Sequence, residues 1–306
     1  MKAPAYHHQE AADLAWCIGS NPLMLSHPKS VYKTLDEQWF HDEYARSSEW
    51  IRSIDAHPKP LRDYLQSEHR LPLGKRFERY LSFWLKESDY FETLAENVQL
   101  QNDKGTVGEI DFIFRERLSG RVFHLEAACK FYLAAENTPN WKLWIGPGGR
   151  DTLQLKMDKL EKQLAITQTP EGMDFLQRER IPTPEPVLFM KGMLFHHFAS
   201  LRKHKPPLYA AKNYLSGWWC YLDESDKLFS DGSTWAVLPK SDWLSVYHTR
   251  FGDRELVPGI RMKAYCRELL EKYKRPLMTI QLFPGAEGWE EGSRGFVVPG
   301  GWPGSK

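Results

Sequence analysis

Two apolar segments that carry acids at alternate positions constrain this chain more than any other feature. They are GEIDFIFRE (108–116) and RVFHLEAACKFYL (121–133), joined by ERLSGR (116–121). Side chains alternate along a strand. Phe123, Leu125, Ala127, Cys129 and Phe131 therefore share one face, and His124, Glu126, Ala128 and Lys130 share the other. The preceding segment sorts in the same way, with Ile110, Phe112 and Phe114 against Glu109, Asp111 and Ile113. The Ser119-Gly120 step is a turn signal and predicts an antiparallel hairpin. With Arg115 opposite Val122, Asp111 falls opposite Glu126 and Glu109 opposite Ala128. Opposed carboxylates with Cβ atoms about 4.5–5.5 Å apart repel and call for compensation. A divalent cation held by oxygen ligands would supply it, and Lys130, diagonal to Glu109, adds a fixed positive charge.

The flanking segments set the order of elements. GKRFERYLSFWLKE (74–87) places Phe77, Leu81 and Trp84 on one helical stripe, and NVQLQ (97–101) reads as a first strand. After the hairpin, RDTLQLKMDKLEKQLAI (150–166) repeats Leu153, Met157, Leu160 and Leu164 at helical spacing, with Asp151 and Gln154 as a capping box. PVLFMKGMLF (186–195) reads as a buried strand. The expected α/β core, residues 71–200, thus runs helix, three strands, helix, strand. Residues 1–70 predict an N-terminal helical region: AADLAWCIGSNPLML, LDEQWFHDEYARSSEWIRSI and LRDYLQSE, punctuated by prolines. Residues 201–306 predict a mixed α+β region packing on the core, with a helix near 261–273 and a strand in PLMTIQLF.

Composition narrows the function classes. With 306 residues, 42% of them hydrophobic, the chain can bury a sizeable core. Lys plus Arg number 41 against 40 Asp plus Glu, so a nucleic-acid surface would have to be a local patch. The four cysteines form no CxxC pair, which argues against a zinc site and for a reduced compartment. The N-terminus lacks a signal-peptide pattern and no window approaches the ~18 apolar residues of a membrane span. The expectation is a soluble cytoplasmic protein with no membrane partner.

An acid on the first helix (Glu78), Asp111 in GEID, and Glu126 with Lys130 in HLEAACK, followed by helix and strand, resemble the PD-(D/E)XK nuclease superfamily. The resemblance implies a restriction-endonuclease-like core, carboxylates that hold Mg²⁺, and a lysine that positions or deprotonates the attacking water. Over its full length the sequence also resembles a bacterial family, domain of unknown function 1853. DLAWCIGSNPL, GKRFERYLSFW, GEIDF, HLEAACKFYL, WIGPGGRDTLQLK and SRGFVVPGGWP carry that likeness.

One spacing departs from the superfamily pattern. Glu126 and Lys130 lie four residues apart rather than two, roughly 13 Å along a regular strand. Glu109, opposite Ala128, is then expected to bring a carboxylate nearer Lys130 as a migrated ligand. The resemblance implies catalysis by Glu78, Asp111, Glu126 and Lys130, with metal held by Asp111 and Glu126, and the hairpin register adds Glu109 to the expected metal ligands. The leading expectation is a Mg²⁺-dependent phosphodiesterase acting on DNA or RNA. The alternatives are a nucleic-acid-binding module that has lost catalysis and a protein-interaction module.

Plainer readings stand beside these. Alternating acids and a lysine also make a solvated ion-pair face, Glu78 also pairs with Lys75, and His124 also serves as a hydrogen-bonded structural histidine. His196 and His197 are expected to point in opposite directions, and His7 and His8 to lie in a mobile terminus. IGPGGRD (145–151) places glycines before a helix without a GxxxxGK[ST] arrangement. Lys156, Lys159 and Lys162 are expected on the polar face of the next helix, and Trp141 and Trp144 flank a loop where they would stack on bases.

Overall fold

Seven α-helices and eleven strands are present among the residues that the computed structural model describes, 6–66, 71–252 and 254–304. The N-terminal helices are α1 (Gln9–Gly19), α2 (Glu37–Ala56) and α3 (Lys59–Gln66), with the short β1 (Lys33–Thr34) between the first two. The Asp36 side chain caps α2 by accepting the Trp39 N–H. Ser67 and Glu68, read with LRDYLQSE, lie outside the described residues. His7 and His8 are anchored rather than mobile, because both backbone N–H groups donate to the Asp55 carboxylate at the end of α2.

Next come α4 (Leu73–Glu87), β2 (Phe91–Asn102), β3 (Gly105–Glu116), β4 (Val122–Ala134), β5 (Trp144–Ile145), α5 (Leu153–Leu164), α6 (Pro170–Arg178) and β6 (Glu185–His197). The expected order holds, with α6 added where Thr169 caps a helix that begins with Pro170. β2 starts six residues before NVQLQ. Its period is hidden by a register shift between Thr93 and Ala95 and by a left-handed Asn97, φ 51°. The cap of α5 is Thr152, which accepts the Leu155 N–H, and Asp151 is left for another contact.

The chain finishes with β7 (Ser216–Tyr221), β8 (Thr234–Leu238), β9 (Val257–Pro258), α7 (Gly259–Tyr273), β10 (Leu277–Gly285) and β11 (Gly288–Val298). All strands join one mixed sheet in the order β2-β3-β4-β6-β7-β11-β10-β8-β9, with β1 on β6 and β5 on β4. Antiparallel pairs flank a parallel centre of β4, β6, β7 and β11. The β6–β7 pairing carries the sheet across residue 200.

Helices cover both faces, giving a layered α/β fold. On one face α1, α2, α3 and α4 pack on Phe114, Phe123, Leu125 and Phe189, and the stripe of Phe77, Leu81 and Trp84 is buried as its spacing demands. On the other, α5 covers Ala128, Tyr132 and Met190, α6 covers Ile110 and Ile113, and α7 covers Trp218 and Val297. Each fully buried large apolar side chain contributes roughly 1.5–3 kcal/mol. Among the described residues no helix is long and apolar enough to cross a membrane.

Candidate active site

The hairpin forms in the expected register, from Arg115 opposite Val122 to Phe112 opposite Leu125. Beyond that pair the acids replace the ladder. The Asp111 N–H donates to Glu126 Oε1 at 3.3 Å, and the Ala127 N–H donates to Asp111 Oδ2 at 2.9 Å. Each carboxylate takes a backbone donor from the opposite strand, so the strands part where the two acids sit. Alternation fails here as well. Ile110, expected beside Phe112, packs with Ile113 toward α6, and Glu109 lines a cleft with Phe112 on the α4 side. Glu109 pairs with Gln99 of β2, and the expected position opposite Ala128 is not formed.

Burial dominates the electrostatics. Glu126 is wholly buried and Asp111 is 7% exposed. Burial raises both carboxyls well above their usual range, and the Glu126 charge pushes Asp111 further. Glu126 Oε2 is buried with no hydrogen-bond partner. Such an atom is costly without a proton, ion or ligand. His124 lies beside the pair, its Nε2 3.3 Å from Glu126 Oε1 and its Nδ1 3.5 Å from Thr167 Oγ1. Burial lowers it to about 4, so at neutral pH the ring is uncharged and offers no countercharge.

The two lysines divide between the rim and the interior. Lys130 Nζ donates to Asp151 Oδ2 at 2.6 Å, and the Tyr132 hydroxyl donates to the same oxygen at 3.2 Å. Lys156 of α5 acts on the acids instead: its positive charge favours ionised Glu126. Burial, followed by repulsion from Lys130 and Lys159, lowers the Lys156 pKa. The spacing of α5 marked Lys156 only as part of a polar face; what it could not show was which strand residue the helix would cross.

Glu78 stands on α4, across the sheet from α5. Its carboxylate pairs with Lys75 at 2.5 Å and lines a cleft of about 370 Å³ with Glu96, Asn97, Gln99 and Glu109. Burial raises the Glu78 pKa, and the Asp111 and Glu109 charges add to the rise. Glu78 and Glu109 thus share a cleft on the α4 side that Asp111 and Glu126 do not line.

Residues 12–298 match the family described as "Domain of unknown function (DUF1853)". The chain belongs to this family. No curated protein and no solved structure matches it. The acid pair, Lys130 and Lys156 all fall within the DUF1853 match.

The remaining candidates are engaged elsewhere. In this DUF1853 chain His196 and His197 do point apart, to the Tyr214 hydroxyl at 3.0 Å and to Glu224 Oε2 at 2.9 Å. Trp144 is buried and its Nε1 donates to the Thr138 carbonyl, which removes it as a stacking platform. The 145–150 loop is covered from one side by the chain's own end: Trp302 Nε1 donates to the Pro147 carbonyl at 3.0 Å. Among the described residues no group of three or more His, Cys, Asp and Glu side chains is arranged to hold a metal ion. The protein therefore offers two carboxylates, one with an open oxygen. That donor set fits a hard cation such as Mg²⁺, which binds through one or two carboxylates and completes its shell with water and substrate phosphate.

Proposed function

We propose that this DUF1853 protein is a metal-dependent phosphodiesterase acting on DNA or RNA, with its centre at Asp111 and Glu126. The observation that carries the reading is the buried acid pair at the parting of β3 and β4, with Glu126 Oε2 unpartnered. Buried carboxylates raised by burial mark a candidate functional site, and a bound cation would favour their ionised forms.

A bound Mg²⁺ or Mn²⁺ would act as a Lewis acid on the phosphate and lower the pKa of a water. The chain's own part is to hold the two carboxylates by the Asp111 and Ala127 N–H groups, so their positions are set before ligand arrives. Lys130, one-third exposed at the rim, is held in an ion pair with Asp151 and stands apart from the acid pair. Glu78 and Glu109, across the sheet, supply further carboxylates on the cleft side. Hydrolysis forms a bond from the water oxygen to phosphorus and breaks the bond to the leaving oxygen, which takes one proton while the other goes to solvent.

A second reading, a nucleic-acid-binding module without catalysis, is favoured by the commitment of Lys130 to Asp151. Calorimetric titration with Mg²⁺ or Mn²⁺, paired with cleavage assays on labelled DNA and RNA, decides between the two. Binding and cleavage that both vanish in Asp111→Asn support the enzyme. Nucleic-acid binding that is indifferent to metal and to Asp111→Asn selects the module.

A further inference from the structure

We propose that Lys156 of α5, and not Lys130 of β4, is the amine that contacts the substrate phosphate at the Asp111–Glu126 pair. The proposal rests on the phosphodiesterase reading above. Lys130 is held at the rim by the Asp151 carboxylate, which the Tyr132 hydroxyl also engages. Using Lys130 at the acids would mean breaking that ion pair and spanning four strand residues, roughly 13 Å.

Lys156 needs neither. The buried side of α5 is Leu153, Met157, Leu160 and Leu164. Lys156 follows Leu153 by three residues and precedes Leu160 by four, so it lies at the margin of that side. The helix packs on the face of β4 that carries Ala128 and Tyr132. On that face Ala128 stands between Glu126 and Lys130 and shares a buried cluster with Leu153 and Met157, the α5 residues on either side of Lys156. The charges agree with this placement: Asp111 and Glu126 attract the Lys156 ammonium and Lys130 repels it. Two carboxylates facing a phosphodiester anion repel it, and a fixed ammonium in a partly dry site offsets the negative charge that builds on the phosphate oxygens.

The test uses the full chain with Mn²⁺ as probe, in the natural protein and in Lys156→Met, Lys156→Arg, Lys130→Met and Asp111→Asn, each checked for a native thermal transition. Removing a positive charge beside the cation site should tighten Mn²⁺ binding in Lys156→Met, on the order of ten-fold. Cleavage should fall about 10²-fold or more and return in part in Lys156→Arg. A merely structural lysine would not move metal affinity upward while lowering activity. Lys130→Met should leave Mn²⁺ affinity unchanged. Tighter Mn²⁺ binding in Lys130→Met with Lys156→Met like the natural protein overturns the assignment and leaves the phosphodiesterase reading standing. Absence of Mn²⁺ binding in the natural protein, or its persistence in Asp111→Asn, overturns both. Where Mn²⁺ binds and no tested substrate is cleaved, the affinity comparison alone decides.

Discussion

Replacing Glu126 by Gln should make the metal-free protein more stable at alkaline pH and no more stable in acid. Burial raises the Glu126 carboxyl from 4.5 to about 7 in the folded chain. Between those values the folded state holds a proton that the unfolded state has lost. The stabilisation is therefore fully present below pH ~4.5 and disappears as pH rises through ~7. At about 1.4 kcal/mol per pH unit the loss approaches about 3 kcal/mol, an upper bound because Asp111 shares the burden. A glutamine side chain would keep the shape, carry no charge, and relieve Asp111 of a charge that helps raise it. His124 acts oppositely: its stabilising neutral form is present above ~6.5 and lost as pH falls through about 4, largely in both proteins alike. Urea denaturation of both proteins at several values between pH 4.5 and 8.5, without divalent cation, measures the difference. The curves should meet in acid and diverge by about 2–3 kcal/mol at pH 8. Millimolar Mg²⁺ should close that gap by stabilising only the natural protein at high pH. Parallel curves, or a variant weaker at pH 8, would refute the reasoning.

Other perturbations test separate parts of the structure. Ala128→Leu should overpack the space beneath α5, costing about 1–3 kcal/mol in chemical denaturation and removing cleavage by displacing Lys156. Gly149→Ala should lower the melting temperature, because a Cβ there would lie 2.2 Å from the Pro303 carbonyl oxygen at φ +74°; tryptophan fluorescence should report the release of Trp302. Asp55→Ala should cost about 2 kcal/mol and expose the N-terminus to limited proteolysis, since Asp55 accepts the N–H groups of His7 and His8.

Period and turn chemistry made much of the core legible. Phe77, Leu81 and Trp84 recur at helical spacing, and the hairpin register followed from Ser119-Gly120 with Arg115 opposite Val122. The departures occur where local chemistry outweighs period. A register shift and a left-handed Asn97 concealed half of β2, and Thr152 took the cap assigned to Asp151. The register that placed Glu109 opposite Ala128 assumed a continuous ladder, which Asp111 and Glu126 interrupt by accepting the backbone donors themselves. The hairpin pattern brought Asp111 and Glu126 together, but it read Lys156 only as part of a polar face, because how α5 sits on Ala128 is decided by packing between layers. That choice leaves no signal in either element alone.

Stability alone gives no reason for this acid pair. A ladder continued by apolar residues would satisfy the same backbone groups, and two raised carboxyls make the fold weaker at neutral pH. Glu126 Oε2 adds a buried acceptor with no donor, inside a fold that otherwise finds partners for acids as deep as Asp13. Asp13 takes Ser245, Gln9 and Tyr80 as donors and joins three distant segments, so its burial is structurally repaid. Glu126 accepts a backbone donor only from the neighbouring strand, and its remaining oxygen has no hydrogen-bond partner. A local cost concentrated on titratable groups, without local structural return, is the expected mark of a site kept for a ligand. On the reading proposed above that ligand is an oxygen-seeking cation, whose charge would remove the repulsion between the two carboxylates.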